Sequence, residues 1–270
     1  MEFKKVSRGT VSISLVLVII AVALISFVLY SYLFIPPAQK TARNQPWELV
    51  SETDLNNKFK AAVADAKDAN VNEIDKNLTV ITPENKNLVR DDQGRILVLA
   101  FTSYGGYDDK VNTELPLSKE IWITVTPEME TFCRAENLDS ANMAIRIEQL
   151  LGLPAGQSAN KRFVAMWVSP DDLYRPCPDP EINDSECELD YPKSPYTALS
   201  PDYLSWFEHQ KSISYLDDGY PWTRLGYTYD WGKTSEIGLS EFIVKPGARI
   251  KVEGVWPTEK YLLEKCGVPN

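Results

Sequence analysis

No charged residue occurs between Gly9 and Gln39, and Val11 to Ile35 is an almost continuous run of Val, Ile, Leu, Ala and Phe. A segment of that length without charge has no polar face to turn to water. In a helix it reaches roughly 37 Å at about 1.5 Å per residue, enough to cross a hydrocarbon core of about 30 Å. A cleaved signal peptide would have an apolar stretch of about 7 to 15 residues followed by a small-x-small site. The one such site, Ala21-Val22-Ala23, lies inside the run, and no cysteine precedes Cys133 to take a lipid. The run therefore reads as an uncleaved signal-anchor helix, residues 11–35.

Lys4, Lys5 and Arg8 precede that helix, and Lys40 and Arg43 follow it. The bias favours a short cytoplasmic tail, residues 1–10, under the positive-inside rule. Tyr30 and Tyr32 fit the outer headgroup level, and Pro36-Pro37 ends the helix. A linker, 36–50, and a globular domain, 51–270, would then lie outside the cytoplasm. The expectation is a single-pass protein of the cell membrane with an extracytoplasmic domain.

Charge separates the two parts. The chain holds 28 basic and 38 acidic residues, and removing the three basic and one acidic residue of positions 1–38 leaves a net charge of about −12 on the remainder. Such a surface repels phosphate backbones, so nucleic acid is not an expected partner. It suits solubility, cationic ligands or divalent ions.

The four cysteines, Cys133, Cys177, Cys187 and Cys266, are even in number within a domain expected outside, where thiols are oxidised. Two disulfides follow. Three pairings are possible, and the favoured one joins Cys177 to Cys187 across a short Pro-rich loop, leaving Cys133 to hold Cys266. Zinc is disfavoured by the absence of a C-x-x-C knuckle and by a single histidine, His209.

Apolar periodicity predicts helices near 53–68, 140–151 and 200–213 and a short one near 257–265. It predicts strands at 77–82, 95–103, 120–126 and 163–168, and a hairpin of 241–245 with 249–255 around Pro246-Gly247. Helices and strands mix without regular alternation, which implies a single α+β domain with a disulfide-closed loop.

Four constellations bear on function. Ser158-x-x-Lys161 has the residue types of the Ser-x-x-Lys arrangement of penicillin-binding proteins. It follows a helix stop rather than opening a helix, and Lys233-Thr234-Ser235 departs from that family's Lys-Thr-Gly. A solvated turn is the plainer reading. The acidic loop from Asp179 to Asp190 carries oxygens at alternate positions, Asp179, Glu181, Asn183 and Asp190 among them, so calcium is a candidate ligand. Its spacing resembles an EF-hand loop, but Pro180 restricts the backbone and Asp184 replaces the glycine of the sharp turn.

The third constellation is aromatic: Tyr220, Trp222, Tyr227, Tyr229 and Trp231, bracketed by Gly219, Gly226 and Gly232 and followed by Glu236 and Glu241. Rings in a glycine-rich loop are expected either to pack on the core or to meet a partner, protein or glycan. The fourth is the lone His209, placed to complement a helix C-terminus rather than to act as a base. No catalytic residue is assigned. The favoured function is non-catalytic binding, with a carboxylate-dependent hydrolase acting on glycan and a calcium or small-ligand module as alternatives.

Overall fold

The structure, a computed structural model, describes residues 51–270 except 137, 158–160, 194–198 and 269–270. The expected tail 1–10, anchor 11–35 and linker 36–50 lie outside the described residues. Among the described residues no helix is long and apolar enough to cross a membrane.

The domain is α+β, built on a seven-stranded antiparallel sheet. Its strands are β1 (Ile96–Thr102), β2 (Glu114–Pro116), β3 (Ile121–Val125), β4 (Arg162–Val168), β5 (Leu173–Tyr174), β8 (Phe242–Val244) and β9 (Arg249–Pro257), in the order β2-β9-β4-β1-β3-β8-β5. The intervening β6 (Tyr227–Asp230) and β7 (Glu236–Ser240) pair as a separate two-stranded ribbon. Alternation along β1 explains why the central strands are apolar throughout. Ile96, Val98 and Ala100 point into one core with Val164, Met166 and Val168 of β4. Leu97, Leu99 and Phe101 point into a second core with Phe163 and Ala165. A strand buried on both faces has no polar side to display.

The second core lies under the helices at 128–136 and 140–150 and the C-terminal turn, while the first helix packs in a separate cluster with Tyr229 and Trp231. Helix α1 (Glu52–Asp65) starts at Ser51, whose side chain accepts from the Asp54 amide, and buries Leu55, Phe59 and Ala62 at helical spacing. Helix α2 (Glu128–Glu136) buries Met129 and Cys133 one turn apart. Helix α3 (Ser140–Leu150) is capped by Asp139 and buries Met143, Ile147 and Leu150. Helix α4 (Pro201–Ser214) has Ser200 as N-cap and Pro at its first position. A short helix α5 (Thr258–Tyr261) continues into a π-helical turn, Leu262–Cys266, and Tyr261 stacks on Phe163 at 4.0 Å between ring centroids.

Both disulfides pair as the sequence favours. Cys133–Cys266 ties α2 to the C-terminal turn across 133 residues, and Cys177–Cys187 closes a loop of separation 10. Two expectations are corrected. The strands expected at 241–245 and 249–255 form but do not pair as a hairpin, since β8 pairs with β3 and β5 while β9 pairs with β2 and β4. No strand forms at 77–82. The segment lies against the acidic loop instead, where the Leu78 and Ile81 amides donate to Ser185 O and Ile182 O at 2.9 and 2.6 Å. Its apolar residues are still buried, which is why the pattern read as a strand.

Candidate functional site

The aromatic run folds inward. Trp222, Tyr227, Tyr229 and Trp231 are 4 to 7% exposed, and only Tyr220, at 49%, faces water. Of the two readings open for the run, core packing describes four of its rings, and Tyr220 is the ring left exposed. Glycines bracket the run because backbone passes too closely for a side chain. A Cβ on Gly219 would collide with Ser214 O, one on Gly226 with Arg175 and Cys187, and one on Gly232 with Gln149. The buried polar tips find partners: Tyr227 donates to Glu73 O at 2.8 Å, Tyr229 to Asp65 Oδ2 at 2.9 Å, and Trp231 Nε1 to Leu153 O at 3.0 Å. Trp222 Nε1 has none among the described residues.

Trp222 also borders a cavity of about 300 Å³ on the helical side of the sheet. Leu99 and Phe101 of β1, Trp122 and Thr124 of β3 and Phe163 of β4 form its floor. Met129, Leu151 to Leu153, and Tyr220 to Trp222 with Tyr229 complete the wall. Gly152 holds φ +63° there, and a Cβ on it would press on Pro221 Cγ at 3.2 Å and Tyr229 O at 3.3 Å. Three of the five rings singled out in the sequence thus line the site from inside.

Among the described residues one carboxyl group borders this apolar space. Glu241 sits between β7 and β8, where its backbone amide donates to Gly226 O at 2.9 Å. Its side chain meets no hydrogen-bond donor and no cation among the described residues. Burial alone, with no contribution from a neighbouring charge, pushes its acidity from the usual 4.5 up to about 8. Residual accessible area at Glu241 does not contradict this. The group borders the cavity and is enclosed by protein elsewhere.

Glu128 shows what a satisfied neighbour looks like. Its carboxylate accepts from Ser240 N at 2.9 Å, from Thr124 Oγ1 at 3.4 Å and from the Thr79 hydroxyl. Burial still raises it, against those hydrogen bonds. Both threonine hydroxyls of the cavity wall are committed as well. Thr124 donates to Glu128, and Thr228 donates to Leu150 O at 2.6 Å and accepts from Leu239 N at 2.9 Å. Neither offers a free nucleophile.

The other sequence candidates are placed as follows. Among the described residues no three His, Cys, Asp or Glu side chains gather as a metal site, Asp179, Glu181 and Asp190 included. The acidic loop instead wraps a fully buried guanidinium. Arg175 donates to Glu186 O, Asp184 O and Thr79 O at 3.0 to 3.3 Å and pairs with Asp184 Oδ1 at 3.4 Å. Burial, and then the mutual repulsion of Asp179 and Asp184, holds the Glu181 carboxyl above its usual range. Asn183 lies in the same loop. His209 lies exposed on α4. Ser158 lies outside the described residues, while Lys161 sets its ammonium 5.3 Å from the Phe101 ring and is lowered by burial.

Glu241 was visible in the sequence only as one carboxylate among many. Whether a carboxyl group has a partner is decided by segments far apart in the chain, so no local pattern marks it. Compared with known protein families, with curated proteins and with solved structures, the chain gives no match.

Proposed function

We propose that the domain works by binding: the cavity beside Glu241 takes a small, mostly apolar molecule, and the chain performs no chemistry on it. The observation that carries this reading is an apolar cavity of about 300 Å³ with one unpartnered carboxyl group in its wall. Ligand sites are typically of this kind, concave and apolar with few polar groups, from about 300 Å³ upward. An apolar cavity of about 150 Å³ holds a benzene, so this one has room for a ring with a short polar arm. The arrangement suits hydrolysis poorly. A glycosidase needs two carboxyl groups about 5 to 9 Å apart on either side of a bond, and among the described residues Glu241 is the one carboxylate in the wall, with no neighbouring charge affecting it.

In the same proposal the chain is held in the cell membrane by residues 11–35, with the cavity domain outside the cytoplasm. All four cysteines being paired suits an oxidising compartment. An envelope protein or glycan remains a partner for the exposed surface, where Tyr220 is the one ring of the run that reaches water.

The test is calorimetric. The full-length chain in lipid nanodiscs is titrated with 2-phenylethanol, with empty nanodiscs as the blank, beside a Leu153→Trp variant that fills the space. Saturable heat in the wild type that disappears in the variant is expected. Equal heat in chain and blank overturns the reading.

A further inference from the structure

A carboxyl group without a donor is costly to bury, and the surrounding fold has supplied donors freely elsewhere. Glu128, one residue from Glu241 in its contacts through the Ser240 amide, receives three hydrogen bonds. Asp230 receives two from Arg146 and a third from the Gly232 amide. Glu241, eleven residues after Asp230, receives none among the described residues.

The wall around Glu241 is not merely apolar. Phe101, Trp122, Trp222 and Tyr229 are among the residues that line the space, and Trp122 and Trp222 meet edge to face at 6.0 Å. Among the described residues no lysine, arginine or histidine lines it, although Lys161 sets its ammonium 5.3 Å from the Phe101 ring. A carboxyl group set among aromatic rings, with no protein cation to pair, is the arrangement that recognises a cation brought from outside. The rings offer their negative faces to the positive charge, and the carboxylate accepts its N–H.

From this geometry we infer that the ligand of the cavity is a hydrophobic amine, its ammonium on the Glu241 carboxylate and its apolar body on Phe101, Trp122 and Trp222. The inference rests on the cavity reading above and names the ligand's chemical class. It gives the domain's acidic surface a part as well, since a net negative charge of −10 on the chain attracts cations toward the opening. A neutral ligand would leave the carboxyl group protonated and would use its one O–H as a donor. A carboxylate ligand would meet repulsion at Glu241 and at the surface alike.

The experiment compares two probes of equal shape, 2-phenylethylamine and 2-phenylethanol, by isothermal titration on the full-length chain in lipid nanodiscs at pH 7, with empty nanodiscs as the blank. The amine is expected to bind about tenfold more tightly than the alcohol, the usual size of a charge-assisted hydrogen bond in a dry site. In Glu241→Gln the ratio of the two affinities is expected to fall to about one, because the amide cannot accept a full ionic contact. Equal affinity of amine and alcohol in the wild type overturns the amine assignment and leaves the cavity reading standing. So does a preference for the amine that persists in Glu241→Gln. Binding of neither probe overturns the cavity reading itself, and the two failures are thereby told apart.

Discussion

Two regions of this domain bury charge, and they do so in opposite ways. Between α3 and the β6–β7 ribbon, Arg146 and Asp230 are 2% and 1% exposed and meet through two parallel hydrogen bonds of 2.8 and 2.5 Å. Phe132 covers the guanidinium at 4.8 Å, Glu136 lies 3.8 Å from its Nε, and Lys233 closes the network on Glu136 at 2.7 Å. At the cavity, by contrast, Glu241 borders apolar space with no donor among the described residues. A compensated pair holds secondary structure together. An uncompensated acid costs stability and is retained where something else benefits, which makes it the better mark of a site.

The comparison is broken most forcefully at Asp230. Asp230→Ala leaves the Arg146 guanidinium buried without its partner and is expected to cost about 3 to 5 kcal/mol in chemical unfolding of the full-length chain. A loss under about 1 kcal/mol would show that water enters this pair and that the two regions differ little.

Removing the charge at Glu241 is expected to act with the opposite sign. The folded-state value of about 8 lies above the usual 4.5, so between those limits the folded chain holds a proton that the unfolded chain has released. Stability contributed by the protonated form is complete below pH 4.5 and is lost as pH rises through 8. Glu241→Gln should therefore match the wild type near pH 4.5 and exceed it near pH 8 by on the order of 3 kcal/mol. Urea titrations at the two values settle the sign. An equal loss at both would place Glu241 among ordinary packing residues.

The smallest effect sharpens the boundary between the regions. Tyr229 borders the cavity while its hydroxyl donates to Asp65 of α1. Tyr229→Phe keeps the ring and removes one hydrogen bond, so a loss of about 1 kcal/mol is expected, with 2-phenylethanol affinity changed less than about twofold. A large fall in affinity would mean that the α1 contact shapes the cavity.

Parts of this were legible in the sequence, for reasons that differ. The caps at Ser51, Asp139 and Ser200 are local chemistry, read within four residues, and each stands where its helix begins. The cystine pairing was legible because one pair closes a short loop and leaves a single alternative for the other two thiols. Helix α2 was overlooked although Met129, Phe132 and Cys133 recur at helical spacing behind two acidic residues of its first turn. The run after the strand at 121–125 was short and offered no polar cap. The aromatic run left two readings open because glycine has two uses. It loosens a surface loop, but here it lets backbone approach Arg175, Cys187 and Gln149. Burial of rings and isolation of Glu241 both depend on the docking of β6 against α3 and α1, contacts more than seventy residues apart such as Thr228 with Leu150 and Tyr229 with Asp65.

The central claim is that Glu241 stands uncompensated in a cavity kept for a ligand, and a carbon-13 titration of its carboxyl group reads this directly. The full-length chain labelled at glutamate, with Glu241→Gln to assign the resonance, is followed by NMR from pH 4 to pH 10. The account predicts a midpoint near 8 in the free protein, moving down by about two units when 2-phenylethylamine saturates the cavity and supplies the missing cation. A midpoint near 4.5 in the free protein would show that the carboxylate already has a partner or ready water, and would contradict it.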